Sequence, residues 1–369
     1  MKKIISVLLA LSMMITLTAC QKAENNTNST ETVTVIDQAG DSVTVPKNAQ
    51  RIAVCGIFPL PSVLAVFFDS AEKIVGMPKE SMTAAKNSLL GELYPEILNA
   101  KTGYSSGSDV NAEELMALNP DVVFYSADDK KMGEQLKKAG FAAVGLSVNM
   151  HDYNAITTLN SWIELLGQIF PENAKGKTVS QYSENVLDKI TKRVENIPDA
   201  KRERVFFLFK YSDSSIVTSG DNFFGDWWAE AIGAVNVAKE LTGDNAQPVN
   251  FEQVYAWNPQ KILITNFNTA QPEDLYNNTI GAYDWSGIDA VKNKEVYKMP
   301  LGMYRSYTPG ADTPITLLWL AKSVYPELFE DVDITKETKE YYKKVFDVEL
   351  TDEQAEKIFK PSLQAGSGM

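Results

Sequence analysis

The chain has 369 residues, 44% of them hydrophobic, with 35 Lys+Arg against 48 Asp+Glu, one His and two Cys. The apolar content excludes a disordered chain, and the length suits two domains of ordinary size. A net charge of −13 argues against nucleic acid or an anionic membrane surface as main partner, and one His with two Cys excludes most structural zinc sites.

Met1-Lys2-Lys3, an apolar run from Ile4 to Leu17 and the small residues before Cys20 make an export signal too short to span a bilayer comfortably. The end Leu17-Thr18-Ala19-Cys20 resembles a bacterial lipoprotein signal. That resemblance implies loss of residues 1–19, a lipid on Cys20 and attachment to the cell membrane; an ordinary secretory signal with an incidental Cys is the alternative. Removing Lys2 and Lys3 takes the net charge from −13 to −15. Residues 20–31 are polar and read as a flexible tether. With Cys20 lipidated, Cys55 has no disulfide partner and reads as a small hydrophobe in the strand Arg51–Gly56.

Val33–Ile36 and Val43–Val45 flank a turn and predict a hairpin. Strands follow at Ile52–Val54, Ile74–Gly76, Asp121–Tyr125 and Ala142–Leu146, with helices such as Pro61–Phe68 and Glu134–Ala139 between them. This alternation predicts a parallel α/β sheet in a first lobe, residues 32–170. Tyr153–Phe170 is helical, and residues 171–197 predict a long polar helix, opened by Pro171 and ended by Pro198, that joins two lobes. Strands resume at Val205–Phe209, Ile216–Thr218, Ile262–Thr265 and Val296–Met299. Helices are expected at Trp227–Ala234, Thr313–Val324, Lys336–Phe346 and Asp352–Phe359. The second lobe covers residues 198–363, and residues 364–369 read as a frayed tail.

An internal repeat is the most informative feature. Val110–Phe124 reads VNAEELMALNPDVVF, Val249–Leu263 reads VNFEQVYAWNPQKIL, and six of fifteen positions are identical. Asn111 and Asn250 suit N-caps, and Glu114 and Gln253 complete a capping-box pattern. Each helix stops at an Asn-Pro before a strand. Glu113 and Glu252 stand at the second helical position, where they complement the helix dipole but are not needed for the box.

Those repeats, the opening Val33–Pro46, Arg51-Ile-Ala-Val54 and Arg204–Phe209 together resemble the substrate-binding lipoproteins of ABC importers for iron-siderophores, haem and cobalamin. The resemblance covers nearly the whole mature chain. It implies two Rossmann-like α/β lobes joined by one long backbone helix, with the ligand cleft between them. It also implies a monomer that carries no covalent cofactor and is not an enzyme. The resemblance further implies that Glu113 and Glu252 dock on basic residues of a permease dimer. The commonest cargo of such proteins puts a ferric chelate first, with haem or a corrinoid as alternatives.

Enzyme readings are weak. Ser70-Ala-Glu-Lys73 and Lys101-Thr-Gly103 mimic a serine acyl-enzyme, but Ser70 follows a helix instead of opening one. Asp128-Asp129 beside Lys130-Lys131 suggests a metal site, but no further carboxylates recur at ligand spacing, so a solvated loop is the simpler reading.

A ligand of open α/β lobes lies beyond the carboxyl ends of the strands. Those ends offer Phe58, Tyr104, Tyr125 and His151 in the first lobe. The second offers Lys210, Tyr211, Asn266, Phe267, Met303, Tyr304, Arg305 and Tyr307, with Phe223, Phe224, Trp227 and Trp228 after a turn. Taken singly, each suits core or surface at least as well. Gly302–Tyr307 is the strongest segment: a cation among tyrosines can hold a carboxylate or catecholate oxygen. One His does not suffice for a bare transition metal.

Overall fold

The computed structural model describes residues 31–172, 176–243 and 245–367. The export signal, Cys20 and all of the tether but Glu31 lie outside them.

The expected hairpin forms from β1 (Thr32–Ile36) and β2 (Ser42–Pro46), antiparallel with Val33 opposite Val45. Its turn is sewn to the first lobe by Asp37, whose carboxylate accepts from the N–H groups of Ala39, Asp41 and Gly145.

Each lobe holds a four-stranded parallel sheet. The first has the order β4 (Ile74–Gly76), β3 (Ile52–Cys55), β5 (Val122–Ser126), β6 (Ala143–Leu146). The second has the order β8 (Val235–Asn236), β7 (Arg204–Leu208), β9 (Lys261–Ile264), β10 (Val296–Lys298). In both, the first strand of the lobe lies between the second and the third, so the sequence repeat is a repeat of topology. Strands β3, β6 and β9 are buried at every residue, as expected where helices cover both faces. Two differences from expectation stand out in the second lobe. The strand Ile216–Thr218 joins a separate antiparallel sheet with Lys210–Tyr211 and Gln247–Val249. Its place in the parallel sheet is taken by the two-residue β8.

Among the helices of the first lobe, α1 (Leu60–Phe68) follows β3, and α2 (Ala112–Ala117), α3 (Lys130–Lys138) and α4 (Ala155–Ile169) come later, with the shorter Lys79–Ala85 and Leu89–Leu93 between α1 and α2. The connecting rod is α5 (Gly176–Val194), 19 residues and roughly 28 Å at ~1.5 Å per residue. It is shorter than the 171–197 expected. Pro171 ends the helix before it instead of opening this one: Phe170 donates its N–H to Leu166 O, and Pro171 has no N–H to continue the ladder. The second lobe carries α6 (Phe224–Ala231), α7 (Phe251–Trp257), α8 (Thr313–Val324), α9 (Ile334–Tyr341) and α10 (Asp352–Phe359). The rod packs between α4 and α8, one from each side of the chain. The largest apolar core accordingly runs through both lobes, from Val54 by way of Ile190 to Leu317 and Ile358.

The end of the chain is also a correction. Leu363–Gly366 is a 3-10 turn, and Ala365 and Gly366 are buried. The described part of the expected frayed tail, residues 364–367, is held rather than frayed.

Candidate ligand cleft and docking faces

The repeat shows why its residues are alike. Asn111 and Asn250 accept from the N–H of Glu114 and Gln253 and so cap α2 and α7. The second half of each capping box is missing: Asn111 gives its N–H to Tyr104 O, and the Gln253 amide turns to Glu240. Asn119 and Asn258 both adopt left-handed backbone, at φ 46° and 44°, which asparagine tolerates. Arg51, just before β3, donates to Leu118 O and Asn119 O, and Arg204, at the start of β7, donates to Trp257 O. Each lobe thus covers the last carbonyls of its repeat helix with an arginine from the adjacent strand. Glu113 and Glu252 are exposed, and neither forms an ion pair or side-chain hydrogen bond among the described residues. One turn on, Met116 and Tyr255 occupy matching places and are 50% and 54% exposed, unusual for large apolar side chains.

The cleft is bounded by contacts between the lobes. Leu89 N donates to Gly302 O, and the Ser88 hydroxyl donates to Met303 O. Tyr153 packs on Phe223 and Phe224 at 5.5 and 5.0 Å between ring centroids. Gly302–Tyr307 therefore lies between the lobes. Its loop is set by Asp312, whose carboxylate accepts from the N–H of Met303 and from the Tyr342 hydroxyl. A Cβ on residue 302 would stand 2.3 Å from Asp312 Oδ1, so only glycine admits the carboxylate there. Full burial pushes the Asp312 carboxyl up to about 6, against the opposing pull of the groups that donate to it.

Arg305 is 1% exposed and forms no ion pair with a carboxylate among the described residues. Its Nε and Nη2 both donate to Ala365 O, at 3.0 and 2.7 Å, and Nη1 donates to the Tyr304 hydroxyl at 3.2 Å. The guanidinium lies over the rings of Phe267 and Tyr304. Tyr307 is buried among Phe207, Phe209, Phe223, Phe224 and Phe267. In these loops His151 Nε2, Ser306 Oγ and Thr308 Oγ1 are buried polar atoms without a protein partner. The loop 265–270 below Arg305 is held by Lys298, whose ammonium donates to Thr265 O, Asn268 O and Ala270 O at 2.8–2.9 Å. Sequence reasoning missed Asp312, Lys298 and Tyr153, whose roles arise only from distant packing.

Several expected contacts belong elsewhere. Tyr104 donates to Val54 O and is buried with Leu115 against the sheet. Tyr125 packs on Gly133 of α3 in that same cluster. Tyr211 accepts from Trp285 Nε1 and donates to Ile280 O in the separate second-lobe core. Trp228 is fully buried and gives its indole N–H to Tyr307 O, so it braces the cleft from behind. Asn266 points its amide at Met299 O and Pro300 O. Phe58, Lys210 and Trp227 are half-buried. Met303 is fully buried and Tyr304 nearly so, in the segment between the lobes.

The enzyme-like fragments have local roles. Ser70 follows α1, and Lys73 Nζ lies 4.7 Å from the Phe68 ring centre. Asp128 accepts from Ser147 Oγ and Val148 N, and Asp129 caps α3. Cys55 is a free buried thiol, pushed up to about 12 by burial.

Comparison with known proteins gives a consistent picture. A family profile described as periplasmic binding protein matches residues 65–301. The chain is 27% identical over 330 residues to the molybdate-binding protein MolA of Haemophilus influenzae, covering 85% of this chain and 90% of that one. A periplasmic solute binding protein from Veillonella parvula superposes with a TM-score of 0.79 at 26% identity, covering 89% of this chain and 97% of the other. The structure of MolA bound to molybdate superposes at 0.71 and 26% identity, covering 86% and 99%. Helicobacter pylori CeuE, described as a nickel–histidine complex, is alike in fold at 0.72 and 24% identity, covering 89% and 99%.

Proposed function

This chain belongs to the periplasmic binding proteins, and from that premise we propose that it captures a compact anionic metal species between its lobes, with Arg305 as the main positive contact. It is a solute-binding protein of an ABC transporter and acts outside the cytoplasm. The observation that carries the ligand class is the buried guanidinium with no carboxylate partner. A buried cation lacking a counter-charge is costly, and a planar guanidinium fork matches an oxyanion or carboxylate. The likeness to a molybdate-binding protein favours an oxyanion of that kind. A ferric chelate is the second reading, favoured by the aromatic wall of Phe209, Phe223, Phe267 and Tyr307, which offers flat apolar area to catecholate rings. The relatives are binding proteins, and the role needs no chemical step.

Glu113 with Met116 and Glu252 with Tyr255 form the permease-docking faces, one per lobe. A basic side chain of the importer meets each carboxylate, and an apolar one covers each neighbour. A lipid on Cys20 would keep the protein at the membrane beside that importer.

Titration calorimetry with molybdate and with a ferric tris-catecholate tests the cargo. Arg305→Ala should weaken the anion that binds by about 2–3 kcal/mol, the loss expected for a buried charge-assisted contact. Unchanged affinity would remove Arg305 from the site.

A further inference from the structure

We propose that residues 361–367 are a removable plug: the chain's own C-terminal segment occupies the anion position at Arg305 and must leave before cargo enters. This rests on the reading of Arg305 as the anion contact.

The segment sits where a ligand is expected. Its turn Leu363–Gly366 packs against the helix Lys79–Ala85 of the first lobe and against the loop 265–270 of the second. That loop leaves the carboxyl end of β9. Ala365 O takes two of the three hydrogen bonds made by the guanidinium. It is a neutral acceptor facing a buried cation. The guanidinium already makes charge-assisted bonds to this carbonyl; an oxyanion would add the attraction of opposite charges and a bidentate fit, so it is the better occupant of the same position.

The seat is shaped, and the occupant is held chiefly at Ala365 and Gly366. A Cβ on Gly366 would lie 2.1 Å from Asn268 O, so the backbone of the segment fits only because that residue has no side chain. The seat stays in place through Lys298, which anchors Asn268 O from below. By contrast, Ser362, Leu363 and Gln364 are exposed. The hydrogen bonds of Ser362 Oγ and Ser367 Oγ go to Gln364, within the segment itself. Helix α10 has already ended at Phe359, and Pro361 follows. A cavity of about 490 Å³ opens beside the segment, with Lys86, Ser88, Glu92, Lys357, Lys360 and Ser362 in its lining. It gives the departing turn room; of its cations, Lys357 is paired with Glu92 and Lys360 with Glu356.

The test uses the full chain. Gly366→Ala should unseat the turn through its clash with Asn268 O. Calorimetry with molybdate and with a ferric tris-catecholate should then show at least fivefold tighter binding than in the wild type. Hydrogen exchange on the wild type should show the amides of Gln364, Ala365 and Ser367, hydrogen-bonded in the turn, protected without anion and exchanging freely with it. If the wild type binds while those amides stay protected, and Gly366→Ala binds no more tightly, the plug is overturned and the Arg305 reading stands. If neither anion binds either protein, the Arg305 reading falls and the plug falls with it.

Discussion

Where a short helix feeds a strand at the middle of each sheet, the two lobes use the same residues for the same tasks. Asn111 and Asn250 cap, Asn119 and Asn258 turn left-handed, and Arg51 and Arg204 cover the last carbonyls. At the carboxyl ends of the sheets the likeness ends. The second lobe supplies a buried arginine, a cage of five aromatic rings around Tyr307, and the loop clamped by Asp312. The first supplies backbone contacts, Tyr153 and His151. On the function proposed above, the matched features would serve a partner of two similar halves that touches both lobes. Unmatched ones sit where a single asymmetric molecule must be gripped. Duplicated scaffold and singular grip are thus separate layers, and each can be disturbed alone.

The largest effect should come from the matched layer. Glu113→Lys with Glu252→Lys should lower ligand-dependent ATPase of the importer in liposomes by more than tenfold, with melting temperature and ligand affinity unchanged. Rim charges set encounter and register, so the defect should also depend on salt. The single substitutions should fall between, and normal transport by the pair would return both residues to the helix dipole.

Next comes the unmatched Asp312. Its folded-state pKa is raised by burial from the ordinary 3.8 to about 6, so between those values the native state binds more protons than the unfolded one. Its contribution is fully present below about 3.8 and is lost as pH rises through about 6, by up to about 3 kcal/mol. Denaturant melts of the wild type and Asp312→Asn across pH 4–7 should show the variant lacking that slope. Parallel curves would mean that Asp312 stays ionised throughout.

The smallest effect concerns the arginine caps. Arg51→Ala and Arg204→Ala should each cost about 1 kcal/mol in chemical denaturation. Arg51→Ala should cost more, because Arg51 reaches two carbonyls and Arg204 one. The reverse order would break the equivalence of the two copies.

The repeat was legible because its chemistry is local: an N-cap, an Asn-Pro stop and a following apolar strand are all written within fifteen residues. So were the helices Thr313–Val324 and Asp352–Phe359, whose boundaries the structure reproduces. The direction of a side chain was not. Tyr104, Tyr125 and Tyr211 lie near strand ends, yet a strand buried on both faces gives no alternation to say which way a tyrosine turns. Strand β8 has only two residues and no pattern to detect. The seated C-terminal turn left no trace either. Its contacts are a backbone carbonyl and the missing side chain of Gly366, and neither appears in hydropathy.

The continuous core has a thermodynamic consequence. The division seen at the cleft is no division for unfolding, because Val54, Ile190 and Leu317 belong to one apolar cluster shared by both lobes and the rod. Neither lobe can melt without disturbing this shared cluster, although each also has a core of its own, so unfolding of the two lobes should be strongly coupled. A ligand held only at the cleft would then stabilise residues far from it as strongly as those it touches, by about 2.7 kcal/mol at a hundredfold excess over its Kd. Such a protein would report occupancy through its whole body, including the distant faces proposed to meet the importer.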